Sequence, residues 1–313
     1  MNIVFMGTPD FAATILKALV EAGHDIKAVY TQPDNPQKRS SEPIASPVKE
    51  YALSQGLNVR QPDRIRNADE IDILRSFDAD VFVVAAYGQI LSQEILDIPR
   101  LCPVNVHGSL LPKYRGASPI QRAIADGEKE TGVTIMRMDK GVDTGDMIDK
   151  ASIPITDSDD EDTMYARLAV LGAGLLVETL KKIEAGTASF TPQDDREATY
   201  ALMIKKEDGL IDFTRPAREI DCKVRGFKKW PTAFTYVAGK MLKIYETKVV
   251  GELPGVDAEG FENGCLVITR KNVYVTAGEG FIELVTVQPE GKKCMPAIDY
   301  QRGAHLVSGM SIG

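Results

Sequence analysis

Two polar side chains that could stabilise an oxyanion, Asn105 and His107, interrupt an apolar segment. Residues 104–106 have the pattern of a β-strand, in which residues i and i+2 project from the same face. Asn donates through its amide, and His also donates and can carry a proton near neutral pH. Two donors that converge on one point favour acyl transfer through a tetrahedral oxyanion. The alternative interpretation is a hydrogen-bonded pair that only stabilises a strand end.

A short acidic loop downstream, residues 139–146, could supply a carboxylate to the same place. It follows an apolar segment, 133–138, that is typical of a strand, so we expect the carboxylate at the same edge of the sheet. A carboxylate near His107 would favour the imidazolium form. Asp143 and Asp146 are both candidates, because the spacing does not distinguish them. The alternative here is an acidic surface turn.

The elements that must position these groups alternate between strand and helix patterns. Apolar runs at 3–6, 26–30 and 81–85 predict strands, whereas 9–22 and 119–127 have helical spacing or helix-capping signals. This alternation predicts an α/β domain with a mostly parallel sheet and helices on both sides. In such sheets ligands bind at the carboxyl ends of the strands, which is where His107 is expected.

After residue 205 the pattern changes. Residues 186–199 are polar and lack a clear period, which is typical of a linker, and 216–227 predicts one more helix. Short alternating strands follow, separated by Gly, Asn and Pro; they are predicted at 233–237, 242–245, 266–269, 273–276 and 281–285. Strands of this length and spacing indicate a small β-barrel.

The length and net charge of the chain further limit the classes of protein to which it can belong. A chain of 313 residues is long enough for two domains, and its 43% hydrophobic and 26% charged residues exclude a disordered or collagen-like protein. The net charge is −8, divided as −10 over residues 1–204 and +2 over 205–313. Residues 205–229 contain eight basic and five acidic residues. This stretch could contact a polyanion, and a solvated surface is the alternative.

Neither a metal site nor a membrane span is expected. The four cysteines form no CxxC pair, and the three histidines are too far apart in sequence for ligand spacing. The longest apolar run, 168–177, is ten residues, whereas a span needs about 20. The chain opens on a strand pattern rather than a signal peptide, so we expect a reducing cytosol. The acidic run 157–162 precedes a helical pattern at 163–184, where carboxylates complement the helix dipole.

The residues around the candidate site also match a known family. Residues 105–147 contain HGSLLP, PIQRAI and ETGVTIM, and they closely resemble the methionyl-tRNA formyltransferases. The similarity begins at residues 7–11, continues through 46–49 and 86–88, and reaches 224–231, so it covers nearly the whole chain. The GxGxxG sequence of dinucleotide-binding sheets is absent from the first strand–helix turn.

The resemblance implies transfer of a formyl group from 10-formyltetrahydrofolate to the amine of initiator methionyl-tRNA. It implies a Rossmann-like catalytic domain at 1–188, a linker at 189–204 and an OB-like tRNA-binding domain at 205–313. The family's catalytic residues fall on Asn105, His107 and Asp143. Its folate-binding stretch falls on Ser109, Leu110, Leu111 and Pro112. The enzyme is expected to be a cytoplasmic monomer that releases tetrahydrofolate and uses neither a metal nor a membrane.

Eight basic residues are the candidate tRNA contacts. They are Lys38, Arg39, Lys205, Lys206, Arg218, Arg225, Lys228 and Lys229. Arg218 and Arg225 are seven residues apart, so they lie on one helix face. The loop 35–43 lacks the Gly-Arg-Gly that the family has before SPVK, which leaves Lys38 and Arg39 as its only cations.

Three other functions remain open from the sequence. A sugar-nucleotide or other small-amine formyltransferase would share HGSLLP but would not require a basic second domain. A folate-binding protein without activity would not need Asn105, His107 and Asp143. An RNA-binding protein without enzymatic activity fits least well, because a net charge of −8 opposes binding to phosphates without a specific basic patch.

Overall fold

The computed structural model describes residues 1–34, 44–253 and 260–313. These residues form two compact units that each combine separate segments of the chain. The first unit contains Met1–Pro119, Glu130–Pro154 and Tyr165–Ala201. The second contains Ile120–Lys129, Ile155–Met164 and Leu202–Gly313. The second unit therefore includes two segments that lie, in sequence, between segments of the first unit.

The described chain contains thirteen strands and eight α-helices. The strands up to residue 154 are β1 (Asn2–Gly7), β2 (Asp25–Tyr30), β3 (Val59–Arg60), β4 (Val81–Ala85), β5 (Cys102–His107), β6 (Glu130–Arg137) and β7 (Met147–Pro154). The helices up to residue 184 are α1 (Asp10–Glu21), α2 (Pro47–Ser54), α3 (Ala68–Ser76), α4 (Gln93–Leu96), α5 (Pro119–Ala125) and α6 (Glu161–Glu184). The later elements are α7 (Ala217–Gly226), β8 (Phe234–Val237), β9 (Lys240–Val250), β10 (Leu266–Ile268), β11 (Val273–Thr276), β12 (Phe281–Pro289), β13 (Met295–Pro296) and α8 (Ala297–Ala304).

The first unit is built on one seven-stranded sheet, in the order β3-β2-β1-β4-β5-β6-β7. The pairs from β3 to β5 are parallel, and β6 and β7 extend the sheet in antiparallel pairing. Strands β1 and β4 form its centre, where Phe5 and Phe82 are fully buried. This arrangement confirms the predicted Rossmann-like α/β fold with a mostly parallel sheet.

The acidic loop reaches the site by a route that differs from the expected one. Because β6 runs antiparallel to β5, Arg137 at its end lies opposite Val104 near the start of β5. The loop 138–146 therefore leaves β6 beside the beginning of β5 and not beside its carboxyl end. The carboxylate of Asp143 in this loop nevertheless reaches Asn105 and His107 on β5.

The second unit contains an antiparallel sheet in the order β10-β11-β12-β9-β8, with β13 paired to β12. The pairing of β12 with β9 shifts register between Leu284 and Val287, and such irregularities bend a sheet. The end strands β10 and β8 do not pair with each other among the described residues. The sheet is thus a half-barrel, which agrees with the predicted OB-like fold.

Helix α6 begins two residues before the predicted position, with Glu161 and Asp162 in its first turn. Of the helices in the described ranges, it alone is long and apolar enough to cross a membrane by length and composition. Leu168, Leu176 and Leu180 on this helix are fully buried in the protein. Their burial indicates a core helix, as predicted from the short apolar run.

Much of the predicted linker 189–204 lies on the first unit. Thr191 forms an isolated bridge with Met147, and Tyr200 forms another with Arg115. Residues 191–201 therefore make backbone hydrogen bonds to the segments on either side of the candidate site. The domain boundaries derived from the sequence stay a prediction.

Candidate active site

The three predicted catalytic side chains meet at one carboxylate oxygen. Asn105 on β5 donates from Nδ2 to Oδ1 of Asp143 over 3.2 Å. Nδ1 of His107 lies 3.6 Å from the same oxygen. The two β5 residues share a face, as the strand pattern predicts, and Asp143 lies against that face. Because residues i and i+2 project from the same face of a strand, the Asn105 amide and the His107 imidazole reach the same carboxylate.

The other nitrogen of His107 fixes the ring. Nε2 lies 2.9 Å from the carbonyl oxygen of Tyr114, and a carbonyl can only accept, so Nε2 donates. The His107 side chain is 5% exposed. Because one nitrogen is held by the backbone, Nδ1 is the nitrogen directed towards Asp143 and Asn105.

The second oxygen of Asp143 is also held. The backbone N–H of Gly116 donates to Oδ2 of Asp143 over 2.9 Å. Gly116 has a φ of +116°, and a Cβ there would lie 2.8 Å from the carbonyl oxygen of Ala201. Only glycine fits this position, since a side chain would meet backbone that cannot move aside.

Asp146, the alternative carboxylate, is engaged elsewhere. It forms an ion pair with Arg137 at the end of β6. Its carbonyl also accepts from the backbone N–H of Arg137 over 2.8 Å. The structure therefore places Asp143 next to His107 and Asp146 in a surface ion pair at the base of the loop.

Hydrogen bonds with Lys113 and Thr134 order the predicted folate-binding stretch. Ser109 is fully buried, and its hydroxyl donates to the carbonyl of Lys113 over 2.6 Å. Thr134 on β6 donates to the carbonyl of Ser109 and accepts from the N–H of Leu111. Leu111 and Pro112 are buried, whereas Leu110 is partly exposed. Leu110 is thus the one side chain of the four that is open to a ligand.

Comparison with known proteins is consistent with this geometry. The family model described as formyl transferase matches residues 1–180, and the formyl transferase C-terminal domain matches residues 203–305. The methionyl-tRNA formyltransferase of Agathobacter rectalis is 48% identical, over 99% of this chain and 98% of the relative. That of Lachnospira eligens is 46% identical over the full length of both. The chain belongs to the methionyl-tRNA formyltransferase family.

A solved structure of low sequence identity has the same fold. It is an N-formyltransferase from Helicobacter canadensis in complex with folinic acid and dTDP-3-aminofucose. The TM-score is 0.65 at 21% identity, over 92% of this chain and 98% of that one. At this identity the likeness extends to the fold alone.

Four of the eight candidate tRNA contacts lie beside the acidic run. In the second unit Arg218 pairs with Asp157, Lys228 with Asp160, and Lys229 with Asp162. Arg225 donates to the carbonyl of Asp159 and pairs with Asp221. These pairs join the basic stretch to residues 157–162, which carry five carboxylates. The acidic run thus does more than precede a helix, and its local pattern did not predict this pairing.

The pairing also affects the ionisation of these groups. The hydrogen bond from Arg218 holds the pKa of Asp157 below its ordinary value. The hydrogen bond with Asp160 likewise raises the pKa of Lys228. Asp157 and Lys228 are therefore both charged at neutral pH. The carboxylates of residues 157–162 largely offset the positive charge of Arg218, Lys228 and Lys229.

Lys205 and Lys206 differ from these four residues. Both are exposed and form no ion pair with any residue of the described chain. Trp230, which is 56% exposed, lies beside them and approaches the carbonyl of Ile204 through Nε1 at 3.5 Å. The remaining two candidates, Lys38 and Arg39, lie outside the described residues.

No group of three or more His, Cys, Asp or Glu side chains that could hold a metal occurs in the ranges that the structure describes. The expectation of a metal-independent reaction stays a prediction.

Sequence reasoning missed the residues that support the catalytic groups, namely Tyr114, Arg115, Gly116, Thr134 and Gln193. Three of them, at 114–116, begin two residues after the end of HGSLLP, so the motif itself was the available signal. Gln193 had no such signal, since it lies in the polar stretch interpreted as a linker.

Proposed function

We propose that this chain formylates the amine of initiator methionyl-tRNA through Asn105, His107 and Asp143, with 10-formyltetrahydrofolate as the donor. The convergence of Asn105 Nδ2 and His107 Nδ1 on one oxygen of Asp143 supports this assignment. Membership of the methionyl-tRNA formyltransferase family supports the choice of acceptor. The folinic acid bound by the fold relative from Helicobacter canadensis supports a folate-type donor.

The three residues divide the work of the reaction. When the amine attacks the formyl carbon, a new C–N bond forms and negative charge develops on the formyl oxygen. The second N–H of the Asn105 amide can stabilise that oxygen, and so can Nδ1 of His107 when it carries a proton, because Nε2 already donates to the Tyr114 carbonyl. Asp143 accepts the proton that the attacking nitrogen loses, and a proton is returned to the folate nitrogen as the old C–N bond breaks. The donor supplies an activated formyl group, so the protein contributes orientation and proton transfer.

The loops that carry the catalytic residues also offer a binding surface for the folate donor. Leu110 packs its Cδ2 against Gly132 of β6, where a Cβ would lie only 2.4 Å from it. Val142, next to Asp143, is 67% exposed. These two side chains offer apolar surface on the loop after β5 and on the loop that carries Asp143. Leu110 therefore remains the strongest of the four folate candidates, and Ser109, Leu111 and Pro112 act by shaping the backbone.

A direct assay tests the proposed function. The purified protein is incubated with 10-formyltetrahydrofolate and either initiator methionyl-tRNA or a dTDP-linked amino sugar. We expect formyl-methionine to be released from the tRNA and no formylated sugar to accumulate. Formylation of the sugar alone would favour a small-amine formyltransferase. Folate binding without transfer to either amine would favour a binding protein.

We further propose that Lys205 and Lys206 provide the main local attraction for tRNA in the described part of the second unit. Neither lysine forms an ion pair in the described chain, whereas Arg218, Lys228 and Lys229 are already paired. Phosphate contacts of this kind bind the backbone without reading its sequence. The four paired cations stay predicted contacts of lesser weight.

Replacing both lysines by glutamate should raise the KM for tRNA and leave the folate KM unchanged. The logarithmic salt dependence of tRNA binding should become shallower by about one unit for each lysine. Binding isotherms at several salt concentrations measure this slope. Trp230 is the only tryptophan of the chain, so its fluorescence should change when tRNA occupies the neighbouring surface.

Lys292 and Lys293 form a matched control, because they too are adjacent, exposed lysines of the second unit. Their replacement by glutamate changes the net charge equally and should leave the salt slope near that of the wild type. Equal effects of the two double variants would mean that attraction is spread over the whole unit. An unchanged Trp230 signal at saturating tRNA would place the RNA elsewhere.

A further inference from the structure

The stretch that follows α6 makes a continuous set of hydrogen bonds with the catalytic loops. Thr191 exchanges both backbone hydrogen bonds with Met147, over 2.8 and 2.9 Å. The N–H of Arg115 donates to the carbonyl of Thr199 over 2.9 Å, and the carbonyl of Arg115 accepts from Ala201 over 2.7 Å. All these residues belong to the first unit. The stretch 191–201 therefore joins the loop after β5 to the loop before β7.

Gln193 lies between these two anchored ends and uses its whole amide. Nε2 donates to the carbonyl of Asp143 over 2.8 Å and to that of Gly145 over 2.7 Å. Oε1 accepts from Nε of Arg115 over 2.9 Å. The Arg115 guanidinium is 2% exposed and also pairs with Asp195 at 2.9 Å. A buried cation thus orients the amide, and the amide holds two carbonyls of the catalytic loop.

The backbone on either side of Arg115 touches the catalytic pair. The carbonyl of Tyr114 accepts from His107, and the N–H of Gly116 donates to Asp143. One connected set of hydrogen bonds therefore includes both catalytic side chains and the amide of Gln193. A shift of this amide would act on the Asp143 backbone directly, and on His107 through Arg115.

The catalytic loop needs this support because of its backbone conformation. Asp143 has a φ of +55°, a region that residues other than glycine rarely adopt. Such conformations persist only where the surroundings determine them. Gln193 binds the carbonyl of Asp143 itself and the carbonyl two residues further on. It thereby fixes the direction in which the Asp143 carboxylate leaves the loop.

We infer that Gln193 is a positioning residue for the proposed formyl transfer, because it holds Asp143 in the place where Oδ1 meets Asn105 and His107. This inference rests on the proposed function and extends it to a residue that touches none of the reacting atoms. It assigns part of the predicted linker to the catalytic apparatus. Gln193 should accordingly affect the rate of the bound complex and not the binding of either substrate.

The isosteric variant Gln193→Glu tests the inference with little change in volume. It replaces the amide donor with an oxygen that faces two carbonyls, so the loop is repelled, while the other oxygen can still pair with Arg115. We expect kcat to fall on the order of 10-fold to 100-fold, the scale of a misplacement near 1 Å. The KM values for folate and for tRNA should stay within a factor of about two of the wild type, because the Gln193 amide is fully engaged by Arg115, Asp143 and Gly145.

Two further variants separate positioning from structural support. Gln55→Glu makes the same chemical change at an exposed residue after α2 and should leave kcat unaltered. In an Asp143→Ala background, Gln193→Glu should lower kcat little further. The effects of two substitutions that act through one group are not additive. Thermal midpoints measured for all variants show whether each is folded at the assay temperature.

The outcomes are distinct. If the wild type transfers no formyl group, the proposed function fails, and this inference fails with it. If the wild type is active and Gln193→Glu retains its kcat, Gln193 has no positioning role and only the inference is overturned. A loss that appears as a raised KM, or that is additive with Asp143→Ala, would likewise contradict positioning through Asp143. A kcat loss that vanishes in the Asp143→Ala background supports it.

Discussion

Replacement of His107 or Asn105 by alanine is expected to lower kcat by about 10²–10³-fold, the usual loss for one oxyanion donor. Each residue has one polar atom directed to Asp143, at 3.6 Å from His107 Nδ1 and 3.2 Å from Asn105 Nδ2. Removing Asn105 takes away the second amide N–H, and removing His107 takes away the Nδ1 donor of the protonated ring, so the developing negative charge has one donor fewer in each case. The measurement is kcat at saturating folate and tRNA, with circular dichroism to confirm the fold.

Two variants control for the burial of His107. His107→Gln keeps an N–H that can reach the carbonyl of Tyr114, so it preserves the anchor while removing the imidazole. We expect its kcat to be as low as that of His107→Ala. His24→Ala, at a histidine outside this hydrogen-bonded set, should retain wild-type kcat. A folded His107→Ala or Asn105→Ala enzyme with unaltered kcat would remove that residue from the mechanism.

Asp143→Asn is expected to have the second large effect, a kcat loss of about 10²–10⁴-fold, the range typical of one proton-transfer group. The amide has nearly the same shape as the carboxylate but cannot accept the proton from the attacking amine. It also presents an N–H towards Asn105 or Gly116, both of which already donate to this side chain. Single-turnover rates with prebound folate isolate this step from substrate binding.

Asp146→Asn is the matched control in the same loop. Asp146 pairs with Arg137 at the surface, and exposed pairs of this kind contribute about 0–1 kcal/mol. Its kcat should therefore stay within roughly threefold of the wild type. If Asp146→Asn lost activity and Asp143→Asn did not, the catalytic carboxylate would have to be reassigned to Asp146.

The ion pairs of the second unit affect how tRNA binding can be tested. Charge reversal at Lys228 and Lys229 would place glutamates against Asp160 and Asp162. Such a variant loses local ion pairs together with any phosphate contact. Removal of residues 205–313 is equally ambiguous, because the segments 120–129 and 155–164 belong to the same compact unit. Lys205 and Lys206 avoid both difficulties, since their exposed side chains have no ion-pair partner in the described chain.

The local sequence pattern was sufficient to predict the strand that carries Asn105 and His107, because the alternation of side chains along a strand depends only on neighbouring residues. The alternation of strand and helix patterns predicted the mostly parallel sheet, and short strands separated by Gly, Asn and Pro predicted a small β-barrel after residue 230. The assignment of Asp143 over Asp146 came from family resemblance, since spacing alone does not distinguish two carboxylates three residues apart.

Tertiary structure alone decided which groups meet across long distances in the chain. Gln193 contacts Asp143, and Arg218 contacts Asp157, through pairs that are 50 and 61 residues apart. A polar stretch without a period looks the same whether it is a free linker or a segment hydrogen-bonded to a catalytic loop. A basic stretch likewise shows only its own charge, and the carboxylates that offset it become visible when folding brings residues 157–162 beside it. Periodicity records how a segment packs, whereas hydrogen bonds and ion pairs between distant segments depend on the whole fold.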